Sequence, residues 1–184
     1  MAALAAVSAA GEELDVNAAA DTPWIKACPP KECYVGRGRH TYCGGLVAEV
    51  ALVERKGETG QHLIIGLPRR INAKRGVKIT LGGKEPVSQP VSGCGKFICT
   101  VDYKAGDELV ERFKQGGLLM LEAVGQDDVG YTVTFGLAGF AEAYDGPPVP
   151  LPEIREISQA EMAALRQQSE RAAAERRARC GPQP

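Results

Sequence analysis

Short apolar runs, many of them alternating with polar residues and each bounded by Gly, Pro or polar turns, dominate this chain. They fall at 32–37, 46–53 (LVAEVALV), 61–67 (QHLIIGL), 77–81 (VKITL), 96–103, 118–124, 131–137 and 139–144. Runs of this length and spacing read as strands. In 96–103 the alternation puts Phe97, Cys99, Val101 and Tyr103 on one face. In 46–53 the only charge is Glu49. A helical period interrupts the series once, at 107–114 (DELVERFK), where Leu109, Val110 and Phe113 share a face and Gly116-Gly117 ends the segment. It is expected to lie on the sheet edge as a plug or connector. Seven or eight short strands around one inserted helix predict an all-β sandwich over 23–148.

Both ends have a different grammar. Residues 1–10 (MAALAAVSAA) have the small-residue character of the end of a signal peptide, without its basic start, and read as a truncated leader. Residues 11–22 are acidic, Ala-rich and aperiodic, as a linker would be. After Gly146-Pro147-Pro148, with Pro150 and Pro152 following, Ser158-Gln-Ala-Glu161 forms a capping box, with Ile157 and Met162 placed as a staple. A helix is expected from Gln159 to about Arg179. Its apolar face is thin, mainly Met162, Leu165 and alanines, so it is expected to stand detached and to be dispensable for folding.

Composition narrows the function. Of 184 residues, 44% are hydrophobic, enough for a core; a formal charge of −1 gives no reason to expect nucleic acid, and 5% aromatics weaken a stacking platform. No run reaches the ~18 apolar residues that a membrane-spanning helix needs. Four of the six cysteines form two equally spaced pairs, Cys28/Cys33 and Cys94/Cys99. Stability alone favours crosslinks between the pairs, about 4 kcal/mol against about 2 for small loops. Turn geometry and matched spacing favour pairing within each, through Pro29-Pro30 and Gly95. A four-cysteine zinc site is the alternative in a reducing compartment. Connectivity, and the roles of Cys43 and Cys180, stay open at this level.

Catalytic signals are weak. His40 and His62 stand apart, neither in a motif with an acid, and no nucleophile signature is present. Gly36, Gly38, Gly82 and Gly83 read as turn residues rather than a phosphate cradle. One electrostatic feature stands out: Arg69, Arg70, Lys74, Arg75, Lys78 and Lys84 follow one another without an acid between them. Near an anionic membrane each cation contributes about 1 kcal/mol, which makes lipid headgroups, lipopolysaccharide or a sulfated glycan candidate targets. A solvated loop balanced by acids elsewhere is the alternative.

From Trp24 onward the chain resembles the invasion-associated locus B family of alphaproteobacterial envelope proteins. The resemblance rests on PWIKAC at 23–28, KECYVGR at 31–37, GQHLIIGLP at 60–68, VKITLGGKEP at 77–86, SGCGKFICTVDY at 92–103, GGLLMLEAV at 116–124 and TFGLAGFAEAYDGPPV at 134–149. It implies envelope location, in some members an association with host-cell entry, and pairing within each cysteine motif. It brings no catalytic residues. The expectation is a non-catalytic exported protein of the periplasm or envelope that needs no cofactor and binds an envelope or host-surface partner. A periplasmic enzyme or small-ligand carrier is the rival.

Overall fold

Pairing of the longest apolar runs sets the architecture. The computed structural model describes residues 20–41, 43–151 and 158–180; the leader and most of the expected linker lie outside them. In chain order the strands are β1 (Ala20–Asp21), β2 (Ile25–Ala27), β3 (Glu32–His40), β4 (Leu46–Arg55), β5 (Gln61–Pro68) and β6 (Val77–Leu81). They continue as β7 (Val87–Gln89), β8 (Gly93–Cys94), β9 (Ile98–Ala105), β10 (Leu118–Val124) and β11 (Gly130–Gly136). The helices are α1 (Asp107–Lys114), α2 (Phe140–Asp145) and α3 (Gln159–Cys180).

Two antiparallel sheets result. One runs β1-β3-β4-β5-β9-β8, with β2 beside β1 on the same edge of β3; the other runs β11-β10-β6-β7. Register explains the core. Leu63, Ile65 and Leu67 of β5 stand opposite Tyr103, Val101 and Cys99 of β9. On the other flank Leu63 and Ile65 stand opposite Leu52 and Val50. These line one inner face, because side chains two apart share a face. Facing them, Val77, Ile79 and Leu81 of β6 pack with Leu119, Leu121, Val133 and Phe135 of β10 and β11, all buried.

The two short helices close one end of this sandwich. Phe113 of α1 and Phe140 of α2, both fully buried, meet Trp24 edge to face, with centroids 6.4 Å (Trp24–Phe113), 5.2 Å (Trp24–Phe140) and 5.0 Å (Phe113–Phe140) apart. Trp24 Nε1 and Arg37 Nη1 both donate to the Gly136 carbonyl, at 3.2 and 2.8 Å, and the Arg37 guanidinium lies over the Trp24 ring. Lys26 Nζ donates to the carbonyls of Tyr144 (2.6 Å) and Gly146 (3.2 Å), satisfying the exposed end of α2.

Several sequence expectations are corrected. The protein is mostly β but mixed, not all-β. Segment 139–144 forms α2 rather than a strand: Phe140 and Tyr144 fit a period of two, yet they are also one helical turn apart. Gly139 at φ 81° turns the chain into the helix. Helix α1 does plug the sandwich, at one end of it, with Leu109, Val110 and Phe113 built into the core. Strands β1, β2, β7 and β8, two or three residues each, are too short to show a period. Strand β1 falls in the segment read as linker because Asp21 is held by Arg39, at 2.5 and 3.0 Å.

Helix α3 begins with the capping box: Ser158 Oγ accepts from Glu161 N–H at 3.2 Å, and Glu161 Oε2 accepts from Ser158 N–H at 2.9 Å. It buries little, as expected, but it is not detached. Cys180 at its end is bonded to Cys43 in the β3–β4 turn, across a sequence separation of 137. A crosslink of that span restricts the unfolded chain by about 5 kcal/mol in the entropy model. Replacing Cys180 by Ser should therefore lower unfolding free energy measurably in a denaturant titration, by up to that amount. An unchanged midpoint would show that the crosslink contributes nothing to folding.

Candidate functional site

The hairpin between β8 and β9 is stapled at its base. Cys94 and Cys99 are direct cross-strand partners and form a disulfide, with Cα atoms 3.9 Å apart. Gly95 N–H donates to the Ile98 carbonyl at 2.8 Å, which leaves Lys96 and Phe97 as a two-residue tip. Arg69 N–H donates to the Phe97 carbonyl at 3.2 Å, fastening the tip to the chain leaving β5. Phe97 therefore does not share the inward face of Cys99 and Val101: it stands 77% exposed, with Lys96 Nζ 5.1 Å from its ring centre. At the other motif Cys28 is bonded to Cys33. All six cysteines are thus in disulfides, which leaves no thiolate for the alternative zinc site.

The structure divides the basic segment. Buried Ile71 pins its middle through a bridge to Gly125, and a short 3-10 turn, Ala73–Arg75, follows with Asn72 Oδ1 accepting from Lys74 N–H. This holds Arg69, Arg70, Lys74 and Arg75 at one end of the sandwich, beside Lys96. Lys78 points to the outer face of the second sheet, paired across strands with Glu122 and Ser88. Lys84 lies past the far end of β6. The expectation of a run without compensating acids also needs correction, because the β10–β11 turn brings Asp128 to within 3.3 Å of Arg75. Both partners are largely exposed, so that pair is worth little. Gln126 binds the carbonyls of Arg69 (2.9 Å) and Arg70 (2.8 Å), and the Arg70 guanidinium lies over Tyr131. Sequence reasoning missed Lys96; its place between two cysteines was visible, but the pairing of Pro68 with Ile98 that brings it to Arg69 was not.

A second polar group was also missed. On the outer face of the first sheet, buried His62 has Asp102 Oδ1 2.6 Å from Nδ1 and Glu58 Oε2 3.1 Å from Nε2. Arg55 donates to the other oxygen of Asp102 at 3.0 Å. Glu58 lies in a turn and Asp102 on the neighbouring strand, so no motif joins them. Burial pushes the Asp102 carboxyl up, but hydrogen bonds from His62 and Arg55 outweigh it and hold the group below its ordinary range. No nucleophile is among these contacts; the group ties the β4–β5 turn to β9. His40 is part of β3, away from it.

A cleft of about 590 Å3 opens beside α1, lined by Ile79, Leu81, Val87, Tyr103 and Leu109. Of the polar groups there, Arg112 is committed to the Leu81 carbonyl at 2.8 Å, while Lys84 and Glu85 border the opening.

Two packed antiparallel sheets, short helices closing one end and three disulfides define a disulfide-bonded, mostly β protein of a kind consistent with an oxidising compartment. The chain belongs to the invasion associated locus B (IalB) protein family, whose model matches residues 19–148. Its fold is similar to the crystal structure of invasion associated protein b from Bartonella henselae, with a TM-score of 0.57 at 15% identity, covering 80% of this chain and 99% of that one. At that identity the likeness shows the fold alone. A search of curated proteins found no match.

Asp21 and Asp102 make stability pH-dependent. Hydrogen bonding and charge from Arg39, with Arg37 adding, hold Asp21 below its ordinary range, although burial opposes them. Carboxyls depressed in the folded state stabilise it above their unfolded pKa of about 4, and that stability is lost as pH falls through the folded values. Asp102→Asn and Asp21→Asn should each lower stability at neutral pH and flatten its decline on acidification, as read by urea midpoints across pH. Curves that run parallel to the wild type would refute this.

Proposed function

We propose that this chain is an exported envelope protein that acts by binding, and that its contact surface is the cationic end built by Arg69, Arg70, Lys74, Arg75 and Lys96. One observation carries the reading: a disulfide-stapled hairpin tip is bonded directly to the start of the basic segment, so two distant pieces of sequence form one rigid, exposed surface. Three disulfides suit an oxidising compartment, which supports export. Among the described residues no helix is long and apolar enough to cross a membrane. An anionic partner, on the envelope or on a host surface, matches the charge. The cleft beside α1 favours a second reading, carriage of a small apolar ligand, in which Lys84 rather than Lys96 would sit at the mouth.

The triple variant Arg69→Glu, Lys74→Glu, Lys96→Glu should bind anionic vesicles at ~0.15 M salt at least about a hundredfold more weakly than wild type, since each cation contributes about 1 kcal/mol. Lys84→Glu, at the other end of β6, should bind as wild type does. Wild-type protein that ignores such surfaces, or a triple variant that binds equally well, would overturn the assignment.

A further inference from the structure

We infer that the Lys96–Phe97 tip is a membrane-inserting anchor, so that the partner of the cationic end is the surface of an anionic lipid bilayer. The inference rests on the binding reading above and narrows it to one class of partner. Among the described residues Phe97 is the most exposed large hydrophobic side chain, at 77%, and Val129, at 61%, comes next. Single exposed apolar residues are ordinary; the placement of these two is not. Val129 ends the β10–β11 turn, and Gln126 of that turn is bonded to the carbonyls of Arg69 and Arg70, while Phe97 accepts from Arg69 N–H. Both exposed side chains therefore belong to loops fastened to the backbone of Arg69, at the same end of the sandwich.

Charge at this end suits the interfacial zone of a bilayer. Arg69, Arg70, Lys74, Arg75 and Lys96 face Asp127 and Asp128, of which Asp128 is paired with Arg75 and Asp127 accepts from Val129 N–H. The excess is cationic, and Lys96 over the Phe97 ring places an ammonium at the height of the apolar tip. An aromatic side chain entering the headgroup–acyl boundary, with cations around it meeting lipid phosphates, is the arrangement by which peripheral proteins hold to anionic membranes. A soluble polyanion such as a sulfated glycan would satisfy the cations but offer no apolar phase to Phe97. The tip is also preorganised: the Cys94–Cys99 disulfide, the Gly95–Ile98 hydrogen bond and the Arg69 contact fix it, so insertion orders little more than one side chain.

The full chain with its disulfides intact tests this. Phe97→Ser and Phe97→Trp are compared with wild type on equimolar phosphatidylglycerol–phosphatidylcholine vesicles, with and without brominated acyl chains, and on heparin. Phe97→Ser should bind vesicles about ten to a hundredfold more weakly yet bind heparin as wild type does. Phe97→Trp should gain a blue-shifted emission, quenched by brominated chains, over the background of buried Trp24. Vesicle binding unchanged in Phe97→Ser, or a bound Phe97→Trp that neither shifts nor is quenched, would overturn insertion while leaving the cationic surface standing. Binding to heparin alone would replace the bilayer with a glycan partner. Vesicle binding that survives reversal of Arg69, Lys74 and Lys96 would instead remove the cationic reading itself.

Discussion

Trp24, Phe113 and Phe140 meet edge to face at one end of the sandwich, and the rest of the architecture depends on that contact. The sheets can bury their inner faces against one another but leave an open end; three rings drawn from β2's approach, α1 and α2 fill it. Arg37 stacks on Trp24 and shares the Gly136 carbonyl with it, so the closure is tied to both β3 and β11. Aromatic contacts of this geometry contribute about 0.5–1.5 kcal/mol each beyond burial, and here they also fix two helices too short to stand alone.

Closing one end frees the other. Strand β5 begins at Gln61, whose Nε2 donates to Tyr144 Oη at the helical end, and finishes at Pro68, beside Ile98 and the stapled hairpin. Eight residues at about 3.3 Å each separate the two. Helices α1 and α2, the cleft and Lys84 gather at the first end; Arg69, Lys74, Lys96 and Phe97 gather at the second. Charge is likewise divided. Asp21 with Arg39 and Asp102 with Arg55 and His62 are matched pairs that brace strands, whereas the cations of the second end outnumber the acids near them.

How much could be read beforehand follows from the range over which each signal acts. Long alternating runs announced β4, β5, β6, β9, β10 and β11, and the capping box announced the start of α3, because these signals are local. Segment 140–144 satisfied both a strand and a helix period, and only burial of Phe140 against Trp24 decides between them. The basic run was legible as composition, but not its division between the ends of β6, which depends on strand direction. Lys96 joining Arg69, Glu58 and Asp102 meeting His62, and Cys43 meeting Cys180 all depend on register or crosslinks between distant segments. No pattern within a segment encodes them.

If the second end is the working surface, contact with a membrane must leave its mark there and nowhere else. Hydrogen–deuterium exchange of the full chain, free and bound to anionic vesicles, reads this directly. Binding should slow exchange at 69–76, 93–98 and 125–130 and leave the α1 and α2 region and the first half of α3 unchanged. Slowed exchange centred on α3, or on the 82–87 and 107–114 segments that border the cleft, with 93–98 unaffected, would contradict it.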